Sequence, residues 1–158
     1  MGDAEVSIRW STGAEDVRGA VAVRERVFCL EQGVPREEEL DGLDDQALHV
    51  VALQPRTGEV IGTLRLLLDG GRAKIGRVAV EREWRGRSIA SRMLALALQR
   101  AQERGCRDAR LASQLEATGL YERAGFTVES EPFDEAGIAH VWMSRPIGAR
   151  PSIGDSSP

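Results

Sequence analysis

A chain of 158 residues, 42% hydrophobic and 29% charged, is long enough to bury one core and too short for two. Its net charge of −4 argues against a nucleic-acid partner and fits a cationic small molecule better. It has no basic start followed by an apolar core, and no later run that could span a bilayer. A cytoplasmic protein without membrane contact is expected.

Val6-Ser7-Ile8-Arg9-Trp10 alternates as a strand does. Ser11 or Thr12 can cap a helix expected from about Ala14 to Gln32, with Glu15 and Asp16 suiting its first turn. Val17, Ala20, Val21, Val27 and Phe28 form its apolar stripe, and Arg24 falls on the same stripe. A charge there needs a partner or a route to water. The next segment, 31–45, is irregular by its Gly and Pro content and strongly acidic. Glu39, Asp41 and Asp44 sit among Leu40 and Leu43, so one of them is expected to pair with Arg24, while Glu37 and Glu38 stay solvated.

Residues 47–53 and 60–68 read as strands joined by a turn-rich link, and Asp69-Gly70-Gly71 leads into an apolar run ending Ile75-Gly76-Arg77-Val78-Ala79-Val80. A charged turn, Trp84 to Ala90, follows. Apolar residues at 89, 93, 97 and 101 then keep a helical period up to Gly105, placed as a C-cap. Residues 108–113, 126–130 and 137–145 add three strands. Antiparallel strands followed by strand, helix, strand, helix predict one mixed α/β domain over 1–145. Its sheet would be mostly antiparallel, with about seven strands and helices on both faces. Residues 146–158, rich in Pro, Gly and Ser, read as a disordered tail. Exposed strand edges suit a homodimer. Cys29 and Cys106 match neither a metal-ligand spacing nor a disulfide framework, so no metal is expected.

The turn has a chemical use. The first N–H groups of a helix lack partners within it and point outward with the positive end of the dipole. Gly86 frees the backbone, Ala90 admits close approach, and Arg85 and Arg87 raise the local potential. A phosphate or pyrophosphate is the natural guest.

Arg85-Gly86-Arg87-Ser88-Ile89-Ala90 resembles the acetyl-CoA signature of the GNAT N-acetyltransferase superfamily, Gln/Arg-x-x-Gly-x-Gly/Ala, which follows a strand like Arg77-Val78-Ala79-Val80. Ser88 stands in place of a glycine, putting a small hydroxyl where the backbone normally nears the pyrophosphate. Downstream, Leu120-Tyr121-Glu122-Arg123-Ala124-Gly125-Phe126 is similar to the Tyr-Glu-x-x-Gly-Phe element of the same superfamily. Further matches are Arg24-x-x-x-Phe28, Glu31-Gln32-Gly33-Val34-Pro35, Asp41-x-x-Asp44, His49, Gly62-Thr63-x-Arg65 and Gly137-Ile138-x-His140. Together they resemble the ElaA-like and YjcF-like branch, over roughly Val21 to Met143. The Arg24, Glu39, Asp41, Asp44 and Arg65 pattern is also similar to acyl-homoserine-lactone synthases, which share the fold.

The resemblance implies an acetyl-CoA-dependent N-acetyltransferase acting on a small-molecule or peptide amine by direct attack in a ternary complex. It assigns the acyl donor to Val78, Ala79, Val80, Arg85, Gly86, Arg87, Ser88, Ile89, Ala90 and Ser91, with an N–H near Val80 stabilising the oxyanion. It also places Tyr121 near the thioester sulfur, as the acid for the departing thiolate. An alkylammonium, with a pKa near about 10.4, must lose a proton before it attacks. Glu31 ranks first as base, with His49 and His140 behind it. Glu31, Arg65, Arg77 and Gln114 are the expected acceptor pocket, the two arginines favouring a substrate carboxylate. A longer-chain acyltransferase and a non-catalytic acyl-CoA-binding module are the alternatives.

Overall fold

Eight strands form one sheet in the computed structural model, which describes residues 5–148. They are β1 (Ser7–Trp10), β2 (Leu48–Leu53), β3 (Val60–Asp69), β4 (Arg72–Val80), β5 (Asp108–Gln114), β6 (Thr127–Val128), β7 (Phe133–Glu135) and β8 (Ile138–Pro146). The spatial order is β1-β2-β3-β4-β5-β8-β6, with β7 also paired to β8. Only β4 and β5 run parallel; the other pairs are antiparallel. The strand that sequence reading missed, β7, spans three residues and is too short to show alternation.

Among the described residues, helices α1 (Ala14–Arg24), α2 (Arg36–Glu39), α3 (Ile89–Glu103) and α4 (Thr118–Arg123), a π-helical turn over Glu25–Glu31 and short 3-10 turns at Asp44–Gln46, Arg82–Trp84 and Leu115–Ala117 complete the regular structure. The pleat of β2 sends Val50 to the α3 side and Val51 to the α1 side, so the sheet has a core on each face. Ala20, Val23 and Val27 pack on Val51, Val60 and Ala79, while Ile89, Met93, Leu94, Ala97 and Ala101 pack on Leu64, Leu66, Ala73 and Ile75. Gly19 lets α1 lie close on the sheet: a Cβ there would stand 2.6 Å from Val60 Cγ2.

Three expectations about the ends of elements are revised. The single helix over 14–32 divides at Arg24, where the chain widens into the π turn. Its N-cap is Gly13, without a side-chain cap. Instead Asp16 reaches back to accept from the Thr12 N–H at 2.9 Å. The Arg9 guanidinium, 2.6 Å away, holds the Asp16 carboxyl down at about 2. At the other end, β8 includes Pro146, and Ile147 is buried with its N–H on Arg107 O at 2.7 Å. The packed domain thus passes the predicted boundary at 145, and residues 149–158 of the predicted tail lie outside the described residues.

The feature that makes the site is an irregularity in β4. Thr63 pairs with Ala79 but Arg65 pairs with Gly76, so Arg77 and Val78 oppose Leu64 alone. This is a β-bulge, and Arg77 adopts a left-handed φ of 51°. The bulge reverses facing: Ala73 and Ile75 point to the α3 side, whereas Ala79 points to the α1 side. Pairing between β4 and β5 covers only Arg72 to Lys74 against Asp108 to Arg110. Beyond it the two strands diverge.

Candidate active site

A cleft of about 420 Å³ opens where β4 and β5 part, bordered by β8, α4 and the π turn. Val78, Ala79, Val80 and Arg85 line it at the turn leading into α3, and Tyr121 lines it from α4. Since β5 has left this stretch of β4, one edge of the strand offers backbone groups to the cleft.

The turn itself is arranged for an anion. The N-cap of α3 is Ser88, left-handed at φ 62°, with no side-chain cap and no acid in the first turn of this 15-residue helix. Its first N–H groups are therefore left to a ligand, beside Gly86, Ile89, Ala90 and Ser91. Arg87 lies over the Trp84 ring at 4.7 Å. Arg85 is held firmly: its Nε donates to Val80 O at 2.9 Å and its two terminal nitrogens donate to Glu31 at 2.8 Å each.

Tyr121 owes its placement to Gly125. At φ 95° this glycine turns the chain so that the Phe126 N–H returns to Tyr121 O at 3.0 Å, and Phe126 packs edge-on against the tyrosine ring. The phenol is buried, which pushes its pKa up to about 12. It is an O–H donor at any physiological pH.

At the other end of the cleft stands His140, across the β5–β8 pair from Gln114. Its Nδ1 lies 2.7 Å from Ile138 O, and a carbonyl only accepts, so Nδ1 carries the hydrogen and in the neutral ring Nε2 keeps a lone pair. Phe133 stacks on the ring at 6.0 Å and fixes its plane. The Gln114 amide donates to Gln32 Oε1 at 2.9 Å, tying β5 to the end of the π turn. Sequence reading had not placed Gln32 in the site, although it belongs to the Glu31-Gln32-Gly33 run; its partner is 82 residues away.

Behind this end lies a charge network. Arg24 donates to Glu39 at 2.6 Å and to Asp44 at 2.8 Å; Arg65 binds Asp41 at 2.8 Å and Asp44 at 3.2 Å; Arg77 binds Glu39 at 3.0 Å and Asp41 at 3.1 Å. The pairing expected for Arg24 is present, with two acids rather than one. Hydrogen bonds from Arg65 hold the Asp41 carboxyl well below the usual range. At Asp44 burial opposes ionisation, but the bonds from Arg24 and Arg65 outweigh it and the shift is also downward.

The three candidate bases stand in different surroundings. Both oxygens of Glu31 take hydrogens from Arg85, which depresses its carboxyl, and Glu31 does not line the cleft. His49 is buried outside the cleft with Nε2 on Asp44 O at 3.0 Å and Nδ1 unpartnered. His140 alone of the three lines the cavity. Arg65 and Arg77 do line it, with their guanidinium groups paired to Glu39, Asp41 and Asp44 rather than left open to a substrate carboxylate. Those three acids are thereby matched, whereas Glu37, Glu38 and Asp45 enter no ion pair among the described residues.

A profile of the Acetyltransferase (GNAT) family matches residues 21–126. The chain belongs to that family. Among relatives, the uncharacterized N-acetyltransferase YjcF of Bacillus subtilis is 31% identical over 132 residues, covering 83% of this chain and 93% of YjcF. An acyl-CoA N-acyltransferase from Pseudomonas aeruginosa superposes with a TM-score of 0.78 at 28% identity, covering 89% of this chain and 99% of its own. ElaA of Escherichia coli has the same fold, with a TM-score of 0.78 at 22% identity and coverage of 89% and 99%. As a GNAT acyltransferase, the chain has the split between β4 and β5, Arg85 and Tyr121 lining one cleft, with the uncapped start of α3 following Arg85 in the chain.

Proposed function

We propose that this GNAT enzyme moves an acetyl group from acetyl-CoA to a primary amine of a small molecule or peptide, by direct attack while both substrates are bound. One observation carries the reading: a single cleft joins Arg85 at the anion-binding turn, the open edge of β4, the Tyr121 phenol and the free Nε2 of His140.

Each residue has a role that follows from its surroundings. The N–H groups at the start of α3, with Arg87 and the Ser88 hydroxyl, would hold the donor's pyrophosphate. Arg85 serves this indirectly, pinning the turn to Val80 and Glu31. The unpaired edge of β4 from Val78 to Val80 offers hydrogen bonds to an extended, amide-bearing arm, and an N–H there takes the charge that develops on the thioester oxygen. His140 accepts the ammonium proton at Nε2. Tyr121 donates a hydrogen bond to the departing sulfur. With its phenol near about 12 and an ordinary thiol near about 8.5, full proton transfer would be uphill, so the phenol steadies the thiolate without surrendering its proton.

The first test is the thermal shift with acetyl-CoA, CoA and a long-chain acyl-CoA, because ligand held by the native state raises apparent stability by mass action. A shift with acetyl-CoA, followed by thiol release on an amine panel, is expected. His140→Gln should then lower kcat/KM for thiol release by far more than Glu31→Gln does. No shift with any donor at millimolar concentration removes the reading.

A further inference from the structure

We infer that the acceptor carries a carboxylate set well apart from its amine, and that Lys74 is the residue that receives it; this rests on the transferase reading above. Four cationic side chains line the cleft: Arg65, Lys74, Arg77 and Arg85. The three arginines are engaged by carboxylates of the protein itself. Among the described residues Lys74 enters no ion pair, and it is the only lysine in the chain. Arg110, its neighbour on β5, is taken as well: it lies over Trp142 at 4.1 Å and donates to Glu129 at 2.8 Å.

The position of Lys74 sets the shape of the ligand. Ala73 and Ile75 share a core with Val141 and Met143, so Lys74 stands on the opposite face of the sheet, with Trp142 and His140. It is level with Arg110 and, through it, with Ser144, which follows His140 by four positions along the antiparallel β8. At roughly 3.3 Å per residue that is about 13 Å along the strand, a span that the flexible lysine stem shortens. Glu38 and Glu135 also line the cleft and, among the described residues, pair with no cation, so the cleft offers unmatched charge of both signs. Such a pocket selects an extended zwitterion: an ω-amino acid or a short peptide with a free carboxyl end, in preference to a plain alkylamine.

The test compares ω-amino acids of increasing length and short peptides with alkylamines of matching length, for the wild type, Lys74→Gln and Lys74→Arg. The wild type should favour the carboxylate series about tenfold, through KM rather than kcat, as expected for one partly exposed charge-assisted hydrogen bond. Lys74→Gln should erase that preference, Lys74→Arg should restore it, and alkylamine kinetics should be the same in all three. A second readout needs no turnover: ¹³C reductive methylation keeps the charge of Lys74 and gives one lysine resonance, which should move with ω-amino acids and not with alkylamines. Equal KM values for the two series, or a preference that survives Lys74→Gln, overturn the inference and leave N-acetylation standing. A resonance that moves without thiol release from any amine keeps Lys74 as the carboxylate ligand and removes the transferase reading. Absence of both removes the two together.

Discussion

The arginines of the interior network and Arg87 at the turn into α3 have opposite fates. Arg24, Arg65 and Arg77 are matched one for one by Glu39, Asp41 and Asp44, and Arg24 is completely buried. At the turn, Arg87 lies exposed over Trp84, next to helix N–H groups that no side chain caps. The first group spends its hydrogen-bonding capacity on folding an acidic loop against the sheet. The second keeps capacity for a ligand. Burial, not residue type, separates charge spent within the fold from charge left open, because a buried guanidinium must be neutralised from within while an exposed one is not.

The comparison breaks first if the interior group is dispensable. Arg24→Met leaves Glu39 and Asp44 short of a partner in a dry site and should cost about 3 kcal/mol, lowering the thermal midpoint by about 10 °C. A loss under about 1 kcal/mol in thermal denaturation would mean the network does not hold the loop. Next comes the phenol to which the proposed mechanism gives the departing sulfur. Tyr121→Phe should lower kcat for thiol release about a hundredfold with little change in the donor's KM. Tyr121 is the only tyrosine, so an ultraviolet titration reads it alone: tyrosinate should stay absent from the folded protein until the pH nears about 12.

The interior group also predicts a pH dependence. The folded-state pKa values of Asp41 and Asp44 are depressed, so their stabilisation is complete above the unfolded value near about 3.9 and is lost as the pH falls below it. In that range the unfolded chain binds more protons than the native one, and stability rises with pH. Melting curves should show this slope between roughly pH 4 and pH 2, and Asp44→Asn should reduce it. The smallest effect belongs to the turn. Ser88→Gly relieves a left-handed serine at about 1–2 kcal/mol but adds unfolded-state entropy, leaving a net gain below about 1 kcal/mol and a rise of roughly 2 °C with donor binding retained.

Much of the fold could be read locally. The helix after Ser88, its end at Gly105, the strand pairs around Gly70 and the Gly125 turn beneath Tyr121 all have signals within a few residues of where they act. Arg24 was legible as an anomaly on an apolar stripe, and its acids as candidates in the next segment. Glu31 misled for a physical reason: its partner, Arg85, is 54 residues away, and nothing near Glu31 announces that both its oxygens will be occupied. His140 and His49 looked alike until pleating sent one into the cleft and packed the other outside it.

By itself the sequence determined the order of the longer elements, the turn into α3 and the family, since helix and turn chemistry act over one or two turns of chain. Tertiary structure alone decided which charges remained available. The bulge at Arg77 reverses the facing of β4, the strands part after Lys74, and distant carboxylates then claim every arginine lining the cleft. Ion pairs form between groups brought together by packing, so which of the cations lining the cleft enters none, Lys74 among the described residues, is known only once the chain has folded.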